Sequence, residues 1–247
     1  MARSRLMTIA PPQEMGRHDG LAYALFRPPG PTTGGVVILH GAGSCKESHF
    51  DFARAVRAQG IAAVAFDQRG HGDSSGRLDG RALSDVATMS ALLGPGPVAL
   101  RGSSMGGFLA LAAARDVRPR AVVAICPAEA GQLRRALRRG ELDCAADEPA
   151  LTRVLEAHEA TDAVATLDTA LLLMHAEGDE RVPAEHSRRL MAAARTPEKR
   201  LVIVPGGHHR SVQHDPELQA YSVRFIARAL AGKPPLGRAP EGPGALA

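Results

Sequence analysis

A serine able to act as a nucleophile stands at the centre of Gly102-Ser103-Ser104-Met105-Gly106. The pattern is G-x-S-x-G, and it falls between a strand-like apolar run, Pro97–Arg101, and a segment of helical period, Met105–Arg115. Strand, sharp turn and helix is the setting in which this motif has a mechanical meaning. Its glycines let the chain turn tightly and hold Ser104 up, with the hydroxyl at the N-terminus of the helix. Free amides and the helix dipole there favour developing negative charge. A serine hydroxyl is a poor nucleophile at neutral pH, so chemistry at Ser104 needs a base beside it and a carboxylate to orient that base.

Other residues invite a metal reading and do not sustain it. His208, His209, His214 and Asp215 are close in sequence, but their spacing fits no standard zinc pattern. Cys45, Cys126 and Cys144 are widely spaced and odd in number, which indicates neither a disulfide framework nor a CxxC site. Cys45 reads as a buried, inert thiol. The expectation is no metal and no cofactor.

The elements that must position Ser104 follow from the apolar pattern. Strand-like runs alternate with helix-period segments, the signature of a mostly parallel sheet covered by helices. Gly35–Leu39, Ile61–Phe66, Pro97–Arg101, Ala121–Cys126, Ala170–Met174 and Arg200–Val204 read as six buried strands. Leu6–Ala10 and Leu21–Arg27 are expected to pair antiparallel ahead of them, which gives about eight strands. Helices are expected at Ser48–Gln59, closed by Gly60, around Leu83–Leu93, from Met105, from Pro183, and from Asp215-Pro216 to Leu230. Residues 128–168 interrupt the alternation, are helical by composition, and read as a short lid at the carboxyl edge of the sheet. Residues 1–231 are thus expected to form one domain, and the Pro- and Gly-rich 232–247 a disordered tail.

Composition narrows the classes of function. The chain has 247 residues, 45% hydrophobic and 23% charged, enough to bury a full core. No apolar run reaches the roughly 18 residues of a membrane span, and the N-terminus lacks the apolar stretch of a secretory signal, so a cytoplasmic protein is expected. The net charge is +4, with basic and acidic residues interspersed, and aromatics are only 3%. Nucleic-acid binders concentrate their basic residues and interleave aromatics for stacking, so no nucleic-acid partner is expected. Arg134, Arg135, Arg138 and Arg139 crowd one short stretch, which suggests docking of an anionic carrier or coenzyme A thioester. Yet 128–168 holds five arginines against nine carboxylates, and a solvated charged face is the simpler reading.

With these elements in place, four loops resemble those of the α/β-hydrolase superfamily, in the family's order and over nearly the whole chain. Beside the serine motif stand Leu39-His40-Gly41-Ala42-Gly43, similar to the family's HGxG loop, and Asp67-Gln68-Arg69-Gly70-His71-Gly72-Asp73-Ser74, similar to D-x-R-G-H-G-x-S. Met174-His175-Ala176-Glu177-Gly178-Asp179-Glu180-Arg181-Val182-Pro183 resembles its acid-bearing loop, with Ala176 where a glycine is usual, and Gly206-Gly207-His208-His209-Arg210 its histidine loop. The resemblance implies Ser104 as nucleophile, Asp179 as the orienting acid, and a base at 208–209. The family's spacing favours His209, with His208 as the alternative. It also implies the amides of Ala42 and Met105 as the oxyanion donors, and places His40 and His71 in scaffolding roles. Asp168 and Glu177 compete for the acid but match no motif, and Asp179 has a rival reading as a helix cap.

The function that the resemblance implies is hydrolysis of a carboxylic ester or thioester through an acyl-enzyme, similar to the serine aminopeptidase and esterase branch. A thioesterase or acyltransferase acting on carrier- or coenzyme A-bound acyl groups is the alternative. A non-catalytic ligand receptor on the same scaffold is the reading from another class. The expected partner is a small-molecule ester or thioester, and the oligomeric state is not legible in the sequence.

Overall fold

The computed structural model describes residues 10–233. Their eight strands are β1 (Glu14–His18), β2 (Leu21–Phe26), β3 (Gly35–Leu39), β4 (Ala62–Phe66), β5 (Val98–Ser103), β6 (Ala121–Ile125), β7 (Ala170–Ala176) and β8 (Lys199–Val204). They form one sheet in the order β1-β2-β4-β3-β5-β6-β7-β8, parallel from β4 to β8, with β2 antiparallel to both β1 and β4. The β-branched and aliphatic runs predicted as buried strands are buried along their whole length in β3, β4, β6 and β7.

One pairing differs from expectation. The antiparallel partner of β2 is Glu14–His18, and not Leu6–Ala10, of which all but Ala10 lies outside the described residues. β1 is polar and mostly exposed, so it carries no apolar alternation to betray it. The turn does: Asp19 and Gly20 both take positive φ, 50° and 77°, the two-residue geometry that an Asp-Gly pair favours between strands. The tail expected from 232 onward lies outside the described residues except for Gly232 and Lys233.

Alternate residues of each strand feed opposite faces. Val37, Leu39, Val64 and Phe66 face α2 (Ser84–Ala91) and α3 (Met105–Val117), while Val36, Ile38, Ala63 and Ala65 face α1 (Phe50–Arg57) and the last helix, α9 (Pro216–Leu230). Between β6 and β7 the segment expected to be helical holds α4 (Ala130–Arg138), α5 (Glu148–Ala157) and α6 (Ala160–Thr166). α7 (Ala184–Ala193) follows β7, and the short α8 (Ser211–His214) precedes α9.

The strand order fixes where a ligand can approach. The chain steps from β3 to β4 on one side, then crosses to β5 on the other, so the connections after β3 and β5 diverge. In open α/β sheets the crevice beyond the carboxyl ends at such a reversal is the natural binding site. The loop after β3 contains His40–Gly43 and the loop after β5 contains Ser104.

Candidate active site

Ser104 sits at the tip of the β5–α3 turn with φ 54° and ψ −120°, a conformation that costs a non-glycine residue about 1–3 kcal/mol. Its surroundings impose it. The Ser104 amide donates to the Ile125 carbonyl at 2.9 Å, and its carbonyl accepts from Phe108 and Ala128 at 3.1 and 3.0 Å. The glycines on either side are required for lack of space: a Cβ on Gly102 would lie 2.0 Å from the Gly106 oxygen. Gly41 meets the serine itself, its virtual Cβ only 3.1 Å from Ser104 Cβ. The HGxG-like loop is therefore pressed against the nucleophile position. The amide of Met105 is the first of α3 and has no preceding turn to bond to. Ala42 is half-buried in the facing loop.

Asp179 follows β7 with its side chain fully buried. Oδ1 accepts from the amides of Arg181 and Val182 at 2.8 and 2.9 Å, and Oδ2 faces His209 Nδ1 at 2.7 Å. Burial alone would push this carboxyl up. Hydrogen bonding from His175, His209 and the amides of Val182 and Arg181 outweighs it and holds Asp179 ionised, well below the usual carboxylate range. The rival role as cap of the helix after Pro183 is not found, since α7 has no side-chain cap; Asp179 orders its own loop with one oxygen and engages His209 with the other.

The two adjacent histidines separate cleanly. His209 is pinned by its amide, which donates to Glu180 Oε2 at 3.1 Å, and by Asp179 through its ring. His208 is exposed, and its Nδ1 accepts from the Arg210 amide at 3.3 Å. Among the described residues no hydrogen bond joins Ser104 Oγ to either ring. Asp168 is exposed at the far end of the sheet, and Glu177 pairs with Arg188 at 2.7 Å, so neither competing carboxylate meets a histidine of this loop.

The remaining histidines are scaffold. His40 Nδ1 donates to the Gly41 carbonyl at 2.7 Å while Nε2 accepts from the Gln68 amide at 3.0 Å, and the His71 ring packs edge-on against it. Burial lowers the pKa of His40 to about 4. His214 lies toward Asp51, and Asp215 caps α9 by accepting from the amides of Glu217 and Leu218, so the four residues that suggested a metal cluster go separate ways. The ligand atoms of Cys126, His175 and Asp179 do lie within 4.8 Å of one another. Asp179 and His175, however, are already engaged by protein partners, and burial pushes the Cys126 thiol up, against the thiolate a metal needs.

Three residues that sequence reasoning did not single out support the site. Lys46, buried just beyond the His40–Gly43 loop, places Nζ 2.8 Å from each of Glu47, Asp67 and Asp73. Arg101, wholly buried in the nucleophile strand, lies over the Phe52 ring at 3.8 Å and donates to the Gln213 carbonyl at 3.1 Å, which joins β5 to the short helix after His209. His175 backs Asp179. Arg101 carries no sequence signal beyond being a charge at the end of an apolar run, and Lys46, in a polar loop, carries none; His175 stood in the acid loop already singled out.

The segment between β6 and β7 is tied to the loop that follows β4. Leu78 and Asp147 donate their amides to the carbonyls of Ala145 and Leu78 at 2.8 and 2.9 Å, and the Ala145 amide donates to Gly70 at 3.0 Å. Beneath it Leu78, Met105, Phe108, Leu133, Leu142 and Leu155 border an apolar cavity of about 10 Å³, room for no more than about one water. A hollow of about 1210 Å³, bordered by Arg118, Arg120, Asp168 and Lys233, lies at the opposite end of the sheet and shares no residue with these loops. Of the clustered arginines, Arg134 faces Glu156 and Glu159 at 3.7 and 3.9 Å and Arg139 faces Glu141 at 4.0 Å, as a solvated charged face would. No helix among the described residues is long and apolar enough to cross a membrane.

Comparison with known proteins agrees with this architecture. Residues 30–145 match the family model "Serine aminopeptidase, S33". Two uncharacterized proteins of Mycobacterium tuberculosis are 31% identical over 205 residues, covering 76% of this chain and 66% of theirs. Among solved structures, the monoacylglycerol lipase of Paleococcus ferrophilus superposes with a TM-score of 0.67 at 23% identity, over 86% of this chain and 98% of that one. Est1E from Butyrivibrio proteoclasticus, solved with ferulic acid, gives 0.67 at 21% identity over 89% and 98%. The 2,6-dihydroxy-pseudo-oxynicotine hydrolase gives 0.71 at 21% identity over 94% and 71%. With the eight-stranded sheet, the serine turn and the Asp179–His209 pair on one edge of it, the chain has the α/β-hydrolase fold, and over residues 30–145 it matches the serine aminopeptidase family of that fold.

Proposed function

We propose that this chain hydrolyses a carboxylic ester or thioester through an acyl-enzyme on Ser104, with His209 as base, Asp179 as its orienting acid, and the amides of Ala42 and Met105 as oxyanion donors. The observation that carries the reading is the 2.7 Å contact between Asp179 Oδ2 and His209 Nδ1 on the same sheet edge as the strained Ser104. An Nδ1–H donated to Asp179 leaves the Nε2 lone pair free to take a proton.

In the first half-reaction Ser104 Oγ attacks the acyl carbon and its proton passes to His209 Nε2. The carbonyl oxygen becomes an oxyanion between the two amides. Its collapse breaks the bond to the alcohol or thiol, which leaves with the proton from His209. Water then repeats the sequence on the acyl-serine, releases the carboxylic acid and restores the hydroxyl. The serine–histidine hydrogen bond forms when substrate is bound, as catalytic contacts often tighten only in the complex. The three unpaired cysteines accord with a cytoplasmic setting.

The test is a burst assay with p-nitrophenyl esters of increasing acyl length, on the wild type and Ser104→Ala, with fluorophosphonate labelling located by mass spectrometry. Turnover and labelling that vanish together in the mutant bear the reading out. Labelling at Ser104 without turnover points to an acceptor other than water or to a receptor. No labelling of the wild type overturns it.

A further inference from the structure

Two imidazoles, and not one, converge on Oδ2 of Asp179. His209 approaches from the loop after β8. His175 approaches from within β7, four residues before Asp179 and with no exposed surface. Its Nε2 lies 2.9 Å from the Val182 carbonyl oxygen and 3.3 Å from Asp179 Oδ2. Both of these atoms are acceptors, so Nε2 must carry the hydrogen, shared between them. In the neutral ring Nδ1 then holds a lone pair, and at 2.7 Å from it stands Ser187 Oγ, fully buried at the start of α7, whose hydroxyl donates. Ser187 thereby fixes the tautomer of His175, and His175 presents an N–H to the carboxylate.

We propose that His175 is a positioning residue that tunes Asp179, its Nε2–H holding Oδ2 in place and drawing charge from the oxygen that His209 faces. The inference rests on the reading of Ser104, Asp179 and His209 as the working set. A carboxylate free of His175 would be more basic. It would hold a proton on the His209 imidazole more firmly, and a protonated imidazole cannot act as the base. The other titratable groups that face this ring are the Cys126 thiol at the end of β6 and His186 on α7, which lies 3.1 Å from Glu129. Asp179 itself is flanked in its loop by Glu180 and Arg181.

His175→Leu removes the N–H at nearly constant volume, and His175→Gln keeps an amide N–H near the position of Nε2. The leucine variant should lower kcat about tenfold with KM little changed and move the acid limb of kcat/KM up by about one pH unit, with glutamine restoring most of both. A purely structural histidine would cost stability without moving that limb. An acid limb in His175→Leu that coincides with the wild type overturns the proposal. Should the leucine variant fail to fold, the ¹⁵N-histidine spectrum of the wild type decides. His175, identified by the resonance that Ser187→Ala perturbs, must show the Nε2–H tautomer in its neutral ring. An Nδ1–H tautomer overturns it. The spectrum reads the same whether or not the protein turns over an ester, so failure of the hydrolase reading is seen separately.

Discussion

Gly106 lies so close to Leu39 that a Cβ on the glycine would come within 2.4 Å of the Leu39 oxygen, and within 2.5 Å of the His40 oxygen. The first turn of α3 therefore rests directly on the end of β3, and that contact sets the distance between the oxyanion loop and Ser104. Both neighbours are backbone and cannot rotate aside. Gly106→Ala is expected to lower stability by at least about 3 kcal/mol, at the upper end of what overpacking costs. Urea denaturation of the purified variant checks this, and a loss under about 1 kcal/mol would mean that the two strand ends can separate freely.

The strain at Ser104 predicts an opposed pair of effects. Its φ of 54° suits glycine far better than any L side chain. Ser104→Gly should raise stability by about 1 kcal/mol while abolishing acyl-enzyme formation. Ser104→Ala should abolish labelling without that gain, because alanine keeps the Cβ. A calorimetric comparison of the two variants separates backbone relief from loss of the hydroxyl.

His209 and His208 differ by one position and should differ by orders of magnitude in effect. Of these two, His209 alone bonds Asp179, so His209→Ala should lower kcat/KM by about 10³-fold or more. His208→Ala, at an exposed ring that accepts from a loop amide, should stay within about threefold. Equal losses in the two variants would mean that the loop, and not the ring on Asp179, carries the effect.

The parts of this site that could be read in advance are those where chemistry restricts residue type. The glycines around Ser104 are forced by backbone contact, and buried parallel strands must be apolar on both faces, so β3 to β7 and the serine turn stood out; β8, expected to be buried, is a partly exposed edge strand found by its apolar run alone. Asp179 and a histidine at 208–209 followed from a loop pattern. The choice between the histidines turned on ring direction, which spacing favours but does not fix. β1 escaped because an exposed edge strand needs no apolar alternation, although Asp19-Gly20 marked its turn. His175, Lys46 and Arg101 act through three-dimensional neighbours contributed by distant segments, such as Ser187, Asp73 and Gln213, and no local pattern foretells those meetings.

His40 connects the site to acid stability. Burial lowers its pKa to about 4, and its neutral tautomer is fixed by Gly41 on one nitrogen and the Gln68 amide on the other. Protonation would set an N–H against the Gln68 N–H. Because the folded pKa lies below the unfolded value of about 6.5, the stabilising contribution is complete above about pH 6.5 and is lost as pH falls toward 4. The full effect is about 3 kcal/mol, with a slope of up to about 1.4 kcal/mol per pH unit within that window. Burial also lowers the pKa of His49, His71 and His186, so the wild-type slope contains their contributions as well. The informative quantity is the difference between wild type and His40→Gln, measured by urea denaturation from pH 7 to pH 4. The glutamine variant should be flatter by about one proton's worth, and curves that run parallel would show that His40 does not titrate on unfolding.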